Sequence, residues 1–183
     1  DQQIKMIFLS SGGTVYGNQE IQPITEDALP RPINHYGNVK LCIENTIRTF
    51  NYQAHTKILI ARISNPYGPG QDFNKGVGFI DAAIKKTIRS EKIEIWGDGN
   101  NVRDYIYIDD VCRMLISLFY YQEDYDTFNI SSNTGTSQRD VIRMLEAMQL
   151  APQVEYLPAR SVDAKKIILN NERVMSIHAV PLV

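Results

Sequence analysis

Ile4-Lys5-Met6-Ile7-Phe8-Leu9-Ser10-Ser11-Gly12-Gly13 is the stretch that decides the fold. Six mostly apolar residues halted by two serines and two glycines read as a buried strand running into a loop. Lys57-Ile58-Leu59-Ile60-Ala61-Arg62-Ile63 is a second such run, and Asn65-Pro66-Tyr67-Gly68-Pro69-Gly70 behind it predicts a loop from its Asn, Pro and Gly density. Phe128-Asn129-Ile130 is a third core strand candidate. Amphipathic segments separate these runs. Val39, Ile43, Ile47 and Phe50 recur at helical spacing from near His35, as do Ile80, Ala83, Ile84 and Ile88. Asp109 and Asp110 stand where carboxylates favour a helix start, ahead of an apolar face of Val111, Met114, Leu115, Leu118 and Phe119. Ser137 with Asp140 resembles a capping box, opening a helix with Val141, Ile142, Leu145 and Met148 inward. Ile93 to Trp96, Tyr105 to Ile108 and Val154 to Leu157 read as short strands, Ile21 to Pro32 as loop, and a short helix is expected near Asn171. Buried strands alternating with amphipathic helices predict an α/β fold with a mainly parallel sheet.

The chain has 183 residues, 43% hydrophobic and 22% charged, with a net charge of −2. Such a chain can bury a real core. The acidic balance argues against a nucleic-acid binder, and no apolar run approaches the ~20 residues that span a bilayer. Cys42 and Cys112 are single and far apart, which suggests neither a disulfide scaffold nor a zinc site and fits a reduced, cytoplasmic compartment. His55 and His178 show no ligand spacing, and no metal is expected.

Tyr36 and Lys40 are the strongest chemical pair. At i and i+4 they share one helix face, so the ammonium can approach the phenol or a group bound to it. A phenol is a poor base at neutral pH, but a fixed cation beside it favours the phenolate and makes proton transfer accessible. On an isolated helix the same spacing is commonly a solvent-facing pair. Here it follows a strand that delivers hydroxyls at its carboxyl end, an active-site arrangement for an open α/β sheet.

Ser10-Ser11-Gly12-Gly13-Thr14-Val15-Tyr16-Gly17 followed by Tyr36-Gly-Asn-Val-Lys40 resembles the catalytic half of the extended short-chain dehydrogenase/reductase family, nearest to its nucleotide-sugar epimerases of the UDP-galactose 4-epimerase kind. Arg62 to Gly70, Gly97-Asp98-Gly99 through Arg103 to Val111, Phe128-Asn129-Ile130, and Arg160 with Asp163 agree in order and spacing, so the resemblance covers nearly the whole chain. It implies an incomplete Rossmann-like sheet with a smaller mixed α/β substrate-binding lobe. Residues 1–69 would be the catalytic portion and 70–183 mainly the lobe, with 109–130 returning to the sheet. It further implies that Tyr36 removes a sugar hydroxyl proton, that Lys40 binds the nicotinamide ribose of NAD, and that Pro66 and Tyr67 lie near the nicotinamide. Asn65, Arg103 and Arg160 would contact the diphosphate of a UDP-sugar, arginine being suited to bidentate phosphate binding, while Asp163 would accept from a nucleotide hydroxyl or orient Arg160.

Most members of the family carry Ser or Thr where this chain has Gly12, leaving Ser11 and Thr14 as the nearest hydroxyls. Its dehydratases carry Thr-Asp-Glu before Val-Tyr-Gly, whereas Gly12-Gly13-Thr14 has no carboxylate, which favours 4-epimerisation over water elimination. The glycine-rich turn that holds the NAD pyrophosphate is absent among the 11 glycines. Relative to the family, four strand–helix units are expected before Asp1 and further helices after Val183, so the first strand would have a bare apolar edge. Two readings follow, and both can hold at once: part of an epimerase, expected to be inactive as given without the glycine-rich NAD-binding half, and a non-catalytic fragment that self-associates as a dimer or larger species and binds nucleotide sugar weakly at best. Part of a dehydratase or reductase of the same family is the remaining alternative.

Overall fold

In a computed structural model, which describes residues 5–71, 78–159 and 164–177 together with Leu182, the serine-ended run folds as strand β1 (Ile7–Ser11) and turns directly into the one-turn helix α1 (Gly12–Val15). There follow α2 (His35–Ala54), β2 (Leu59–Ile63), β3 (Asn65–Tyr67), α3 (Phe79–Ile88), β4 (Lys92–Trp96), β5 (Val102–Tyr107), α4 (Ile108–Phe119), β6 (Thr127–Ile130), β7 (Gly135–Ser137), α5 (Gln138–Ala147), β8 (Gln153–Leu157), β9 (Lys166–Ile167) and α6 (Glu172–Met175).

β1, β2 and β6 form a parallel sheet in the order β1-β2-β6, with Ser11 opposite Ile63 and Ile63 opposite Ile130. Such strands need side-chain cover on both faces, hence their continuous apolar runs. One face is covered by α4 and α6: Val111, Met114, Leu118 and Val174 pack on Leu59, Ala61, Phe128 and Ile130. On α2 only Gly37 and Glu44 are buried, and its apolar residues Val39, Ile43 and Phe50 are 57%, 38% and 49% exposed. A second sheet runs β3-β5-β7, with β9 also on β5, and β4 pairs with β8. Ala83, Ile93, Ile95, Ile142 and Leu145 join α3, β4 and α5 in a separate small core. The α/β architecture with parallel sheets is therefore present as expected.

Local departures have physical reasons. Asn65–Tyr67, expected as loop, pairs in parallel with Tyr105–Tyr107. β3 lies at the end of its sheet order, where the missing N–H of Pro66 costs least. The strand expected over Tyr105 to Ile108 starts earlier, at Val102, and Ile108 already belongs to α4. Met148, expected inward, sits just past α5 and is 70% exposed, and Phe119 at the end of α4 is also exposed. The Ser137–Asp140 capping box forms in both directions.

Candidate functional site

Ser10 and Ser11 take opposite fates because successive side chains of a strand alternate. Ser10 is buried and donates its Oγ to Glu44 Oε1 at 2.5 Å. Ser11 stays partly exposed at the strand end, and Thr14, one helical turn later, donates to the Ser11 carbonyl at 3.4 Å. Gly12 is fully enclosed: a Cβ there would overlap Leu169 Cδ1 and lie 3.0 Å from the Arg62 carbonyl oxygen. The hydroxyl carried at this position by most of the family has no room here, so Gly12→Ser is expected to destabilise the chain by about 1–3 kcal/mol, as overpacking does. Urea unfolding followed by circular dichroism checks this; an unchanged midpoint would contradict the enclosure.

The N-cap Asn34, whose Oδ1 accepts from Gly37 N at 2.8 Å, starts α2 so that Tyr36 and Lys40 share one stripe. Gly37 makes a close approach possible, since a Cβ would lie 2.6 Å from the Thr14 carbonyl oxygen. Tyr36 is 57% exposed. The Lys40 ammonium lies 5.6 Å from the Tyr36 ring centroid and 5.0 Å from that of Phe8, and it donates to the Leu9 carbonyl at 2.8 Å. It thus sits by the ring face, with one of its hydrogen bonds given to the β1 backbone.

Asn65, Pro66, Tyr67 and Arg103 line one cavity of about 280 Å³, together with Trp96 and Tyr105. β5 puts Arg103 and Tyr105 on this side because Asp104 and Ile106, the alternating residues, are buried on the other. Asn65 Nδ2 donates to the Asp104 carbonyl at 3.1 Å, and the Asn65 amide lies 3.7 Å from where a Cβ on Gly13 would stand, so the cavity adjoins the α1 turn. Arg160 and Asp163 lie outside the described residues. Among the described residues no cluster of His, Cys, Asp and Glu suits a metal ion, and no helix is long and apolar enough to cross a membrane.

Sequence reasoning overlooked a buried polar frame beneath these residues. Arg62, the fourth residue of β2, donates to both Glu44 carboxylate oxygens, at 2.6 Å from Nη2 and 3.1 and 3.2 Å from Nε. Its guanidinium carbon stands 4.7 Å from the Tyr16 ring centroid, and the Tyr16 hydroxyl donates to Asn129 Oδ1 at 2.7 Å. Burial pushes the Tyr16 phenol up to about 12, against the opposing pull of Arg62. Burial also pushes the Glu44 carboxyl up, but the hydrogen bonds and charge of Arg62, with Ser10 and Arg48, outweigh it and hold the carboxyl below its ordinary value. The signal was in the sequence: an arginine inside an apolar strand run requires a buried anion as partner.

Known proteins share this fold and sequence pattern. Residues 1–131 match the model of the "NAD dependent epimerase/dehydratase family". A dTDP-4-dehydro-6-deoxyglucose reductase of Escherichia coli is 33% identical over 94% of this chain and 54% of its own length. Thermotoga maritima UDP-glucose 4-epimerase, solved with UDP-glucose, superposes with a TM-score of 0.88 at 33% identity, over 94% of this chain and 56% of that one. Bacillus cereus UDP-glucuronic acid 4-epimerase, solved with UDP-glucuronic acid and NAD, does so with a TM-score of 0.88 at 26% identity, over 98% and 56%. The chain spans about half the length of these relatives. Because a family model matches residues 1–131 and the reductase is 33% identical over 94% of this chain, the chain belongs to the NAD dependent epimerase/dehydratase family.

Proposed function

We propose that the chain is the catalytic and substrate-binding portion of a nucleotide-sugar 4-epimerase acting on UDP-hexoses. The observation that carries this is the packing of the Tyr36–Lys40 stripe of α2 on the hydroxyl-bearing end of β1, with Gly37 against the Thr14 carbonyl. Tyr36 takes the proton of the sugar C4 hydroxyl as that carbon is oxidised and returns it when the C4 carbonyl is reduced on its other face. Lys40 holds positive charge beside the phenol and, by moving from the Leu9 carbonyl, reaches a ribose hydroxyl. Ser11 or Thr14 donates to the sugar oxygen. Asn65 and Arg103, which border one cavity, hold the diphosphate, with Arg160 and Asp163 assigned the same nucleotide end.

NAD, when bound, supplies the two-electron acceptor that is regenerated within each cycle. The residues fit its nicotinamide-ribose end: Tyr36 is open to solvent, the ammonium is adjacent, and Pro66 and Tyr67 border the neighbouring cavity. The 183 residues contain no glycine-rich turn for its pyrophosphate, so weak affinity for NAD is expected of this chain alone. Water elimination is disfavoured because Gly12-Gly13-Thr14 offers no carboxylate. Likeness to a 4-keto-sugar reductase supports net reduction as a second reading.

Incubation with UDP-galactose and NAD, followed by chromatography of the nucleotide sugars, tests the assignment. Epimerisation yields UDP-glucose with no net change in cofactor, whereas a reductase consumes reduced cofactor stoichiometrically with a 4-keto substrate. Binding of UDP-sugar in calorimetry without turnover supports a non-catalytic fragment. The edge of β1 that pairs with no further strand among the described residues, with Leu9 46% exposed, and the exposed apolar stripe of α2 also support self-association. Light scattering is expected to give a dimer or larger species; a clean monomer contradicts it.

A further inference from the structure

Helix α2 carries the proposed base, yet apolar burial does little to set its rotation. Only Gly37 and Glu44 are buried along its 20 residues. Val39, Ile43 and Phe50, which on an ordinary covering helix would face the sheet, are exposed. Hydrophobic contact is in any case non-directional and tolerates a helix rolling about its axis. Something else must hold Tyr36 in place.

Tyr36, Lys40 and Glu44 stand at i, i+4 and i+8, within an arc of about 80°. Along this stripe α2 touches β1 and α1 at three levels. The Gly37 backbone lies against the Thr14 carbonyl, the Lys40 ammonium donates to the Leu9 carbonyl at 2.8 Å, and Glu44 accepts from Ser10 Oγ at 2.5 Å. The first is a steric fit without a direction of its own, and the second is a single bond from a half-buried lysine whose ammonium has no charged partner in the hydrogen bond. The third is different in kind. The Glu44 side chain is wholly buried and its carboxylate is gripped by the Arg62 fork, while Arg62 is itself seated on the Tyr16 ring. A bidentate guanidinium–carboxylate pair fixes distance and plane together, which a greasy contact does not. It joins α2, β1, β2 and the Val15-Tyr16-Gly17 segment that continues from the hydroxyl turn.

We propose that the buried Glu44–Arg62 pair is a positioning device for the reaction: it keys the rotation and axial register of α2 on β1 and so places Tyr36 and Lys40 against the Ser11–Thr14 turn. Neither residue touches substrate, and the proposal rests on the epimerase reading only for its catalytic consequence. Stability and position are separable here, because replacing a buried ion pair with apolar residues of similar volume is often neutral or stabilising, whereas removing one partner is strongly destabilising. One Arg62 nitrogen, Nη1, is buried with no hydrogen-bond partner among the described residues. That is a cost an apolar replacement would relieve, and it suits a pair retained for geometry more than for stability.

The test is the double variant Glu44→Leu/Arg62→Met in the full chain, beside Arg62→Lys, which keeps the charge but loses the fork. Melting temperature, nuclear Overhauser contacts between Gly37 and Thr14, and kcat and KM for UDP-galactose epimerisation with NAD are measured. The double variant is expected to melt within a few degrees of the parent, to lose the Gly37–Thr14 contacts, and to lose about 10²-fold in kcat, as small misplacements do. KM should stay within about threefold, since ground-state binding is left alone. Arg62→Lys should give a partial loss of both contacts and kcat, and it decides the matter if the double variant does not fold. Parental contacts in either folded variant overturn the proposal, as does parental kcat. If the parent itself shows no turnover, the Gly37–Thr14 contacts alone decide the positioning claim, and if it binds no UDP-sugar either, the epimerase reading falls on its own.

Discussion

Under the proposed 4-epimerase function, Tyr36→Phe is expected to cut turnover by about 10²–10⁴-fold, the range a positioned proton-transfer group contributes, and to leave KM for the UDP-sugar nearly unchanged. The substitution removes one oxygen and nothing else. The ring keeps its place beside the Lys40 ammonium, 5.6 Å from its centroid, and Tyr36 is already 57% exposed, so no packing is disturbed. No hydrogen bond to another described residue is made by its hydroxyl in the structure, and the melting temperature should not move. Lys40 is a less discriminating target. Its ammonium also bonds the Leu9 carbonyl on the open edge of β1, so a Lys40→Met variant would mix lost charge with a loosened helix. Steady-state kinetics of parent and Tyr36→Phe chains, with a melting curve on each, separate the outcomes. Turnover within tenfold of the parent would sink the assignment of Tyr36 as base and move attention to Thr14 and Ser11.

The strands and helices were legible wherever one physical signal dominated. Apolar runs gave β1 and β2, Phe128-Asn129-Ile130 gave β6, helical periodicity gave α2 to α5, and Ser137 with Asp140 gave a cap that forms in full. What was not legible depended on partners distant in sequence. Asn65–Tyr67 has the composition of a loop and becomes a strand only because Tyr105–Tyr107 lies beside it. The apolar residues of α2 were readable as a helix, but periodicity does not say which residues meet the sheet, and here Glu44 does so instead of Val39 or Ile43. At the site, Asn65, Pro66, Tyr67 and Arg103 share a cavity, and Tyr36 and Lys40 share a stripe. The frame beneath them is not local in sequence: Glu44, Arg62, Tyr16 and Asn129 come from four separate stretches of the chain, and only the charge inside an apolar strand hinted at it.

Asp104→Ala is expected to cost about 3–5 kcal/mol of stability, the large end of single substitutions, because it leaves a cluster of donors without their shared acceptor. The carboxylate is fully buried and accepts five hydrogen bonds. Oδ1 takes Ser132 N and Ser132 Oγ, both at 2.9 Å, and Ser64 Oγ at 3.2 Å. Oδ2 takes Asn133 N at 3.1 Å and Leu169 N at 3.2 Å. The two hydroxyls can rotate to other acceptors, but the three backbone N–H groups cannot. Each buried donor left unmet costs about 1–3 kcal/mol, and the removal of a desolvated carboxylate offsets part of the sum. Asp104→Asn should recover some of the loss, because its single carbonyl oxygen still accepts while its amide nitrogen opposes the remaining donors. Burial pushes the Asp104 carboxyl above its usual 3.8, against the donors of Ser132, Leu169 and Ser64. A carboxyl raised on folding contributes stability that is complete below its unfolded value and is lost as pH rises through the folded one. The gap between parent and Asp104→Ala should therefore widen as pH is lowered towards 3.8. Urea unfolding at neutral and mildly acidic pH measures both effects. A gap that narrows on acidification would mean that the five donors, not burial, govern this carboxylate. The consequence for the site is direct: Asp104 ties β5 to the segments following β2 and β6 and to Leu169, and β5 aims Arg103 and Tyr105 into the cavity. If the cavity holds a UDP-sugar as proposed, weaker binding should accompany the lost stability even in the fraction of chains that stay folded.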